Sequence, residues 1–260
     1  MTATLLQSAC LLARADSGGS VQASVSVESL SSPANAYGPW VYEDLDVQVP
    51  PSALTGIHLE NRHASDRFNP NTEQYVTLDR YQHLSRASTL YGAASFGSGA
   101  PYPEDRFAVE YDAGVGRGVV LFAGGALGNQ YGLGAAQQLA LGAYYYFGDS
   151  YASFRYAPAW SRALGSTQGY VFTLALGQPQ RTVTTLRIGS AGENDVSLIT
   201  PVNPTIVGER EFGTSVSVKH WVTPVSGFHI DLDYGALDRT NGSRIYTRRG
   251  IGLGLFFGVK

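Results

Sequence analysis

The stretch that decides the fold is Gly250-Ile-Gly-Leu-Gly-Leu-Phe-Phe-Gly-Val259, near the end of the chain. Its large apolar residues recur at every second position, and the positions between them are glycine, with Phe256 as the exception. Alternation with a period of two is typical of a β-strand whose two faces meet different surroundings. The chain therefore ends in a predicted strand with one continuous apolar face and one nearly bare face.

The same alternation recurs upstream in segments of about ten residues. In 226–235, aromatic and aliphatic residues alternate with His229, Asp231 and Asp233. Helical spacing is absent over any long stretch. We predict fourteen strands, with twelve as the alternative count. They lie at 20–30, 39–49, 53–64, 71–84, 86–96, 105–114, 117–127, 134–147, 149–161, 166–178, 180–190, 210–223, 225–238 and 243–259.

The connections between these strands alternate in length. Short ones lie at 50–52, 85, 115–116, 148, 179 and 224. Long ones lie at 31–38, 65–70, 97–104, 128–133, 162–165, 191–209 and 239–242. An even number of strands with tight turns at one end and longer loops at the other is the layout of an outer-membrane barrel. The sequence therefore predicts an all-β fold, a closed antiparallel up-and-down transmembrane β-barrel.

The two faces of the strands predict which side meets lipid. A barrel of fourteen strands is too wide for side chains to fill, so an inward apolar row would enclose a large wet void. We therefore expect the apolar row to face lipid and the polar row to line the lumen. The predicted lining residues are Asp44, Asp46, Glu60, Arg62, Arg106, Glu110, Asp112, Arg155, Arg187, Lys219, His229, Asp231 and Asp233.

Composition excludes several other classes of protein. The 260 residues include 43% hydrophobic residues, which argues against disorder, and 31 glycines. Lys and Arg number 18 against 21 Asp and Glu, so we expect no nucleic-acid partner. The apolar runs are too short for a membrane-spanning helix. The mean hydropathy of −0.08 is then an average over two unlike faces.

The first residues read as an export signal, and the rest as one domain. Residues 2–12 are mostly apolar or small, and Ala13-Arg14-Ala15 has the form of a signal-peptidase site. We expect a signal peptide at 1–15 and a single barrel domain at 16–260. No basic residue precedes the apolar run, so an upstream start of the signal stays open. Cys10 lies within the signal, which leaves the mature chain without cysteine.

Several stretches resemble the YaiO-type outer-membrane β-barrel family. They are Gly-Ser-Val-Gln at 19–22, the strand 75–83 rich in Tyr and Asp, Pro-Tyr-Pro-Glu-Asp-Arg at 101–106, and the glycine-rich closing strand 249–257. The resemblance covers about residues 20–260. It implies a barrel of the bacterial outer membrane, close to polysaccharide export or the cell surface. It implies no enzymatic activity and transfers no functional residues.

The predicted location also sets the expected partners. Outer-membrane lipid and lipopolysaccharide would contact the apolar face, and polysaccharide is a further partner that the resemblance implies. Alternating apolar residues that end at Phe257 resemble the signal read by the barrel assembly machinery, although Gly258-Val259-Lys260 extends past it. We expect Trp40, Trp160 and Trp221 in the aromatic girdles at the membrane interfaces.

One motif could carry chemistry. His63-Ala64-Ser65 has the spacing of the His and Ser used by outer-membrane lipid hydrolases, with Asn61 or Asn69 as a third member. The lipase pattern continues with Asn-Gly after the serine, whereas Asp66-Arg67 follows here. We therefore favour His63 as an ordinary rim residue and keep a lipid hydrolase using His63 and Ser65 as an alternative.

No metal site or cofactor is predicted. The histidines at 58, 63, 83, 220 and 229 are scattered along the chain. His229, Asp231 and Asp233 share one face of a strand, but a charge ladder paired with Arg244 or Arg248 is the favoured interpretation. The glycines at 124–125 and 250–254 lie within strands and lack the sequence context of a phosphate loop.

Three functions follow, of which the first is favoured. It is a non-enzymatic outer-membrane barrel with a charged lumen, acting as a pore or as a component associated with the cell surface or polysaccharide export. The second is the barrel lipid hydrolase. The third is a soluble secreted β-protein that binds carbohydrate, for which the apolar face would form a core.

Overall fold

The structure is a computed structural model that describes most of the chain. The described residues are 19–32, 38–49, 53–65, 70–99, 103–130, 134–161, 165–192, 209–239 and 243–259. The predicted signal peptide and its cleavage site lie outside them, as do parts of several predicted long loops. The start of the barrel domain at residue 16 therefore stays a prediction.

Fourteen strands make up nearly all of the described residues. They are β1 (Gly19–Ser31), β2 (Trp40–Val49), β3 (Ala53–Ala64), β4 (Asn71–Ser85), β5 (Ser88–Gly97), β6 (Pro103–Gly116), β7 (Val119–Gln130), β8 (Gly134–Phe147), β9 (Ser150–Ser161), β10 (Gly165–Gln178), β11 (Thr182–Gly192), β12 (Glu209–Thr223), β13 (Ser226–Arg239) and β14 (Arg244–Val259). Each predicted strand is found, and its ends differ from the prediction by at most three residues.

The strands form one closed sheet in which each strand pairs with its neighbours in the sequence. The ring closes where β1 pairs antiparallel with β14, from Gly19 opposite Val259 to Ser31 opposite Thr247. Closure leaves no unpaired strand edge, as hydrocarbon surroundings require. The predicted closed barrel is confirmed. The alternative of a soluble secreted β-protein, in which the apolar face forms a packed core, is wrong.

The two ends of the barrel differ in the length of their connections. The end that holds Gly19 and Val259 also holds the two-residue turns 86–87, 117–118, 148–149 and 224–225. In the turn after β6, Arg117 and Gly118 have φ of 52° and 78°. Positive φ at both central residues matches the right-handed twist of the hairpin strands. The predicted short turns therefore lie together at one end of the barrel, and the predicted long loops lie at the other end.

Large apolar side chains cover the outside of the barrel. On β14 the exposed fractions are 52% for Ile251, 59% for Leu253, 55% for Leu255 and 53% for Phe257. A soluble monomer rarely exposes so continuous an apolar surface, whereas lipid covers it at no cost. No helix among the described residues is long and apolar enough to cross a membrane.

The glycines of β14 make room for polar side chains of β13. Gly250, Gly252 and Gly254 pair directly with Asp233, Asp231 and His229. A Cβ atom added at Gly254 would lie 2.0 Å from Nε2 of His229, and one at Gly250 would lie 2.3 Å from the Asp233 carboxylate. The glycines on this face of β14 therefore leave the space that the neighbouring charged side chains of β13 occupy.

We expect Gly254→Ala to destabilise the barrel by about 1–3 kcal/mol, the usual cost of overpacking. The added methyl group would meet His229, the backbone oxygen of Ala23 and the side chain of Ser24. Urea unfolding in detergent micelles measures the change. Gly92→Ala is the control, because nothing lies within 4 Å of a Cβ at Gly92. Equal midpoints for the two variants would contradict the packing of β13 against β14.

The structure corrects the predicted aromatic girdle. Trp40 is 0% exposed and packs edge-on against Tyr246, with ring centroids 5.9 Å apart inside the barrel. Trp221 is half-buried and packs on the inward Phe256 at 5.0 Å. Only Trp160 points outward, with 42% of its surface exposed. The prediction is wrong for Trp40 and Trp221.

Candidate functional site in the barrel lumen

Most charged side chains of the strands lie on the face that alternates with the exposed apolar residues. The structure places all thirteen predicted lining residues on this face. The buried ones are Asp44, Glu60, Arg62, Glu110, Asp112, Arg187 and His229. The half-buried ones are Asp46, Arg106, Arg155, Lys219, Asp231 and Asp233.

Contacts between strands that are not neighbours show that this face is the concave one. Arg155 on β9 donates two hydrogen bonds to Glu110 on β6, of 2.6 and 3.0 Å, across the two intervening strands. Lys219 on β12 reaches Gln22 on β1, with Nζ to Oε1 at 3.3 Å. Side chains can meet across two intervening strands only on the inside of a closed sheet.

The Arg155–Glu110 bridge crosses the wall where the intervening strands carry small residues. A Cβ atom at Gly124 of β7 would lie 2.9 Å from the Cβ of Glu110, so only glycine fits beneath this carboxylate. The guanidinium also lies over the Phe122 ring at 4.3 Å. Bidentate contact and stacking are the geometry in which arginine binds a carboxylate most strongly.

Carboxylates are concentrated on the wall formed by β1–β4. The inward acids there are Glu28, Asp44, Asp46, Glu60, Glu73 and Asp79. Arg62 binds Glu73, with Nε to Oε2 at 2.9 Å, and also lies over the Trp40 ring at 4.6 Å. Among the described residues of this wall, Arg62 is the only inward Lys or Arg side chain. We call this surface the acidic wall.

Cationic side chains are concentrated on β9–β12. Arg155, Arg187 and Lys219 point inward from β9, β11 and β12. No acid points inward among the residues of β9–β12 whose side chains the structure describes. In the ring of fourteen strands, four strands separate β4 from β9 and two separate β12 from β1. This basic wall therefore faces the acidic wall across the lumen.

Apolar side chains narrow the lumen at both ends. At the long-loop end, Trp40, Tyr42, Ala64, Leu237 and Tyr246 pack together from β2, β3, β13 and β14. At the short-turn end, a second cluster joins β7–β11 on the other side; its members are Phe122, Tyr144, Tyr151, Ala175 and Val183. The charged zone lies between these two clusters, near the middle of the strands.

The structure places the His-x-Ser motif at the long-loop end of β3. Nδ1 of His63 lies 3.1 Å from Oγ1 of Thr72, and Nε2 lies 3.5 Å from Oε2 of Glu43. The hydrogen bond of Ser65 runs from its backbone N–H to the oxygen of Pro39, at 3.1 Å. Both ring nitrogens therefore face groups other than the serine hydroxyl that a hydrolase would have to activate.

The charge ladder on β13 is paired with one of the two arginines that the sequence predicted, because Arg248 lies close enough to Asp233 for their charges to attract. Nδ1 of His229 lies 2.6 Å from Oδ2 of Asp231. Arg244 binds Asp238 near the long-loop end, and Nη1 of Arg248 lies 3.5 Å from Oε1 of Glu28 on β1. Arg248, at 0% exposure, thus links the first and last strands where the ring closes.

Sequence reasoning did not include several of the inward residues. Glu28, His58, Glu73 and Asp79 are buried on the concave face. Glu28, Glu73 and Asp79 have the strand parity of Ser24, Thr77 and Tyr81, which are also buried. Period-two alternation along β1 and β4 would have identified them, because a strand sends every second side chain to one face.

The ring of strands is closed, its exterior is apolar and its interior is charged. These features define a β-barrel of the bacterial outer membrane. The chain belongs to the family described as the YaiO membrane beta barrel domain, whose model matches residues 19–196, more than half of the chain. The match ends before β12, so the glycine-rich closing strand lies outside the matched residues. A comparison with curated proteins returns no match.

Solved structures share the fold at low sequence identity. The CymD monoaromatic hydrocarbon channel has a TM-score of 0.58 at 10% identity, covering 96% of this chain and 90% of that one. A bacterial polysaccharide outer membrane secretin has 0.54 at 7%, covering 93% and 98%. Omp33 of Acinetobacter baumannii has 0.51 at 10%, covering 92% and 98%. At such identities the likeness establishes the fold alone.

Proposed function

We propose that the barrel is a non-enzymatic channel for small hydrated cations and small polar solutes. The observation that carries the proposal is the charged zone at mid-height, where an acidic wall faces a basic one. Opposed fixed charges orient and select solutes as they pass a narrow polar passage. The solved channel structures to which this chain is similar support the proposal only through their shared fold.

The balance of charge in the lumen sets the expected selectivity. Among the inward side chains of the described residues, the carboxylates outnumber the Lys and Arg groups by ten to six. The acids are Glu28, Asp44, Asp46, Glu60, Glu73, Asp79, Glu110, Asp112, Asp231 and Asp233; the cations are Arg62, Arg106, Arg155, Arg187, Lys219 and Arg248. An excess of fixed negative charge favours cations over anions.

The geometry of His63 supports the non-enzymatic part of the proposal. A serine hydrolase needs a base whose free nitrogen reaches the serine oxygen, whereas Thr72 and Glu43 engage the two nitrogens of this ring. The association with polysaccharide stays a prediction of the family resemblance.

Planar-bilayer recording of the purified barrel tests the proposal. In a KCl gradient we expect single-channel steps whose reversal potential favours potassium over chloride. Asp231→Asn combined with Asp233→Asn should move the reversal potential toward chloride, because both side chains point into the lumen. Glu43→Gln is the matched control, because this acid points outward with 53% of its side chain exposed.

Two results would overturn the proposal. One is the absence of current from barrels that show the folded, heat-modifiable mobility on gels. The other is an equal shift of the reversal potential in the double variant and in Glu43→Gln, which would mean that the inward acids do not face the conducting path.

A further inference from the structure

One patch of the acidic wall has the ligands of a metal centre. Asp44 pairs with Glu60 across β2 and β3, and Asp46 pairs with His58 two residues further along. Asp44, His58 and Glu60 are all buried, and their ligand atoms lie within 4.8 Å of one another. His58 and Glu60 share one face of β3, and the register of the hairpin brings Asp44 opposite Glu60.

The contacts of His58 favour the tautomer that leaves Nε2 for a metal ion. Its Nδ1 lies 2.5 Å from Oδ1 of Asp46, so the ring proton belongs on Nδ1. Nε2 then carries a lone pair that a metal ion can accept, and this nitrogen lies 3.6 Å from Oε2 of Glu60. A carboxylate that binds the far nitrogen of a histidine is the usual support of a metal-binding imidazole, since it orients the ring and raises its basicity.

Two buried polar atoms of this patch have no hydrogen-bond partner among the described residues. They are Oδ1 of Asp44 and Nε2 of His58. Asp44 is 7% exposed and His58 is 3% exposed. The other carboxylate oxygen of Asp44 accepts a hydrogen bond from Ser24 at 3.3 Å, so Oδ1 is the oxygen that remains for a ligand. A buried polar atom without a partner is costly unless a ligand satisfies it.

The patch also carries more negative charge than its neighbours balance. Asp79 lies beside it on β4, and its Oδ2 has no hydrogen-bond partner among the described residues. Lys219 is close enough for its charge to act on Asp46, and its Nζ also contacts Gln22. Four carboxylates, from Asp44, Asp46, Glu60 and Asp79, thus surround one imidazole. Such a group is stabilised by a cation of high charge.

We propose that Asp44, His58 and Glu60 bind one divalent transition-metal ion, of the Zn²⁺ type, on the wall of the lumen. One imidazole nitrogen and two carboxylate oxygens suit Zn²⁺ better than the hard cations, which prefer oxygen alone. Asp46 is a positioning residue that orients His58. The fourth coordination position faces the lumen, where water or a solute group completes the shell. The proposal stands independently of whether the barrel conducts ions.

Binding of Zn²⁺ and Co²⁺ to the full-length folded barrel in detergent tests the proposal. Titration calorimetry should give one Zn²⁺ per barrel, and Co²⁺ should give the visible absorption of a four-coordinate site. His58→Gln, Glu60→Gln and Asp44→Asn should each remove the spectrum. Asp46→Asn should keep one ion but weaken its binding by about 10–100-fold, the usual effect of losing a supporting carboxylate.

His229→Gln is the matched control. This second buried histidine also has Nδ1 beside a carboxylate, that of Asp231. It should leave the stoichiometry, the affinity and the cobalt spectrum unchanged. Heat-modifiable mobility on gels establishes that each variant is folded. Because three ligand residues are replaced separately, the test still works if one of the variants does not fold.

The proposal is overturned if folded wild-type barrels bind less than one tenth of an equivalent of Zn²⁺. In that case His58 is an imidazolium shared between Asp46 and Glu60. It is equally overturned if binding persists unchanged in all three ligand variants, since the ion would then lie elsewhere on the protein.

Discussion

Arg155→Met is expected to destabilise the barrel by about 3–5 kcal/mol, the cost of removing one partner from a buried ion pair. The variant leaves the Glu110 carboxylate, which is 5% exposed, without its two hydrogen bonds from Arg155. Asp112 lies close enough to Glu110 for their charges to repel. Chemical unfolding in detergent micelles, followed by tryptophan fluorescence, measures the loss.

A double variant separates the bridge from the packing of the arginine. Arg155→Met with Glu110→Gln should recover most of the lost stability, because no buried charge is then left without a partner. Arg86→Met is the control, since Arg86 is exposed in the turn after β4. If Arg155→Met is no more destabilising than Arg86→Met, the bridge across β7 and β8 does not contribute to the stability of the barrel.

Leu253→Lys is expected to cost about 2–4 kcal/mol, the cost of a lysine facing lipid near the bilayer midplane. Leu253 lies near the middle of β14, between Val25 and Ile230 on the neighbouring strands, and is 59% exposed. Its charge would enter hydrocarbon, with no carboxylate on the same face of these strands at this height. Unfolding from lipid vesicles gives the free energy of unfolding directly.

Ser26→Lys is the matched control at nearly the same height. Ser26 pairs with Gly252 on β14 but faces the lumen. A Cβ at Gly252 would lie 3.2 Å from the Cβ of Ser26 and 3.5 Å from the Asp231 carboxylate, so an ammonium at position 26 gains a nearby acid. We expect a change of less than about 1 kcal/mol. A larger loss for Ser26→Lys than for Leu253→Lys would reverse the assignment of the two faces.

The architecture could be predicted because each hairpin carries its own signals. Apolar alternation, as in β14, and short turns such as 148–149 are local in the sequence, so the fourteen strands and their order follow from them. The same parity places Asp44, Asp46 and Asp231 on one face. It also places Trp40 there, because Trp40 is in phase with Asp44. The girdle prediction failed because it used residue type and overlooked this phase.

The long-range contacts could not be predicted from local pattern. Arg155 and Glu110 are 45 residues apart, and they meet only because the strands are staggered around the ring. The patch of Asp44, His58 and Glu60 depends on the register of one hairpin, in which Asp44 lies opposite Glu60. A shift of one residue would turn His58 and Glu60 toward lipid. Alternation sets the face of a residue, whereas register and stagger set its partners.

Cysteine accessibility along β13 tests the central claim that the apolar face meets lipid and the polar face meets a hydrated lumen. Single cysteines would replace Ile230, Asp231, Leu232 and Asp233 in a Cys10→Ser background, since Cys10 is the only native cysteine. In vesicles, we predict that a charged maleimide labels positions 231 and 233 alone. A probe attached at 230 or 232 should be quenched by a lipid-bound nitroxide. Equal labelling at all four positions, or the reverse pattern, would contradict the account.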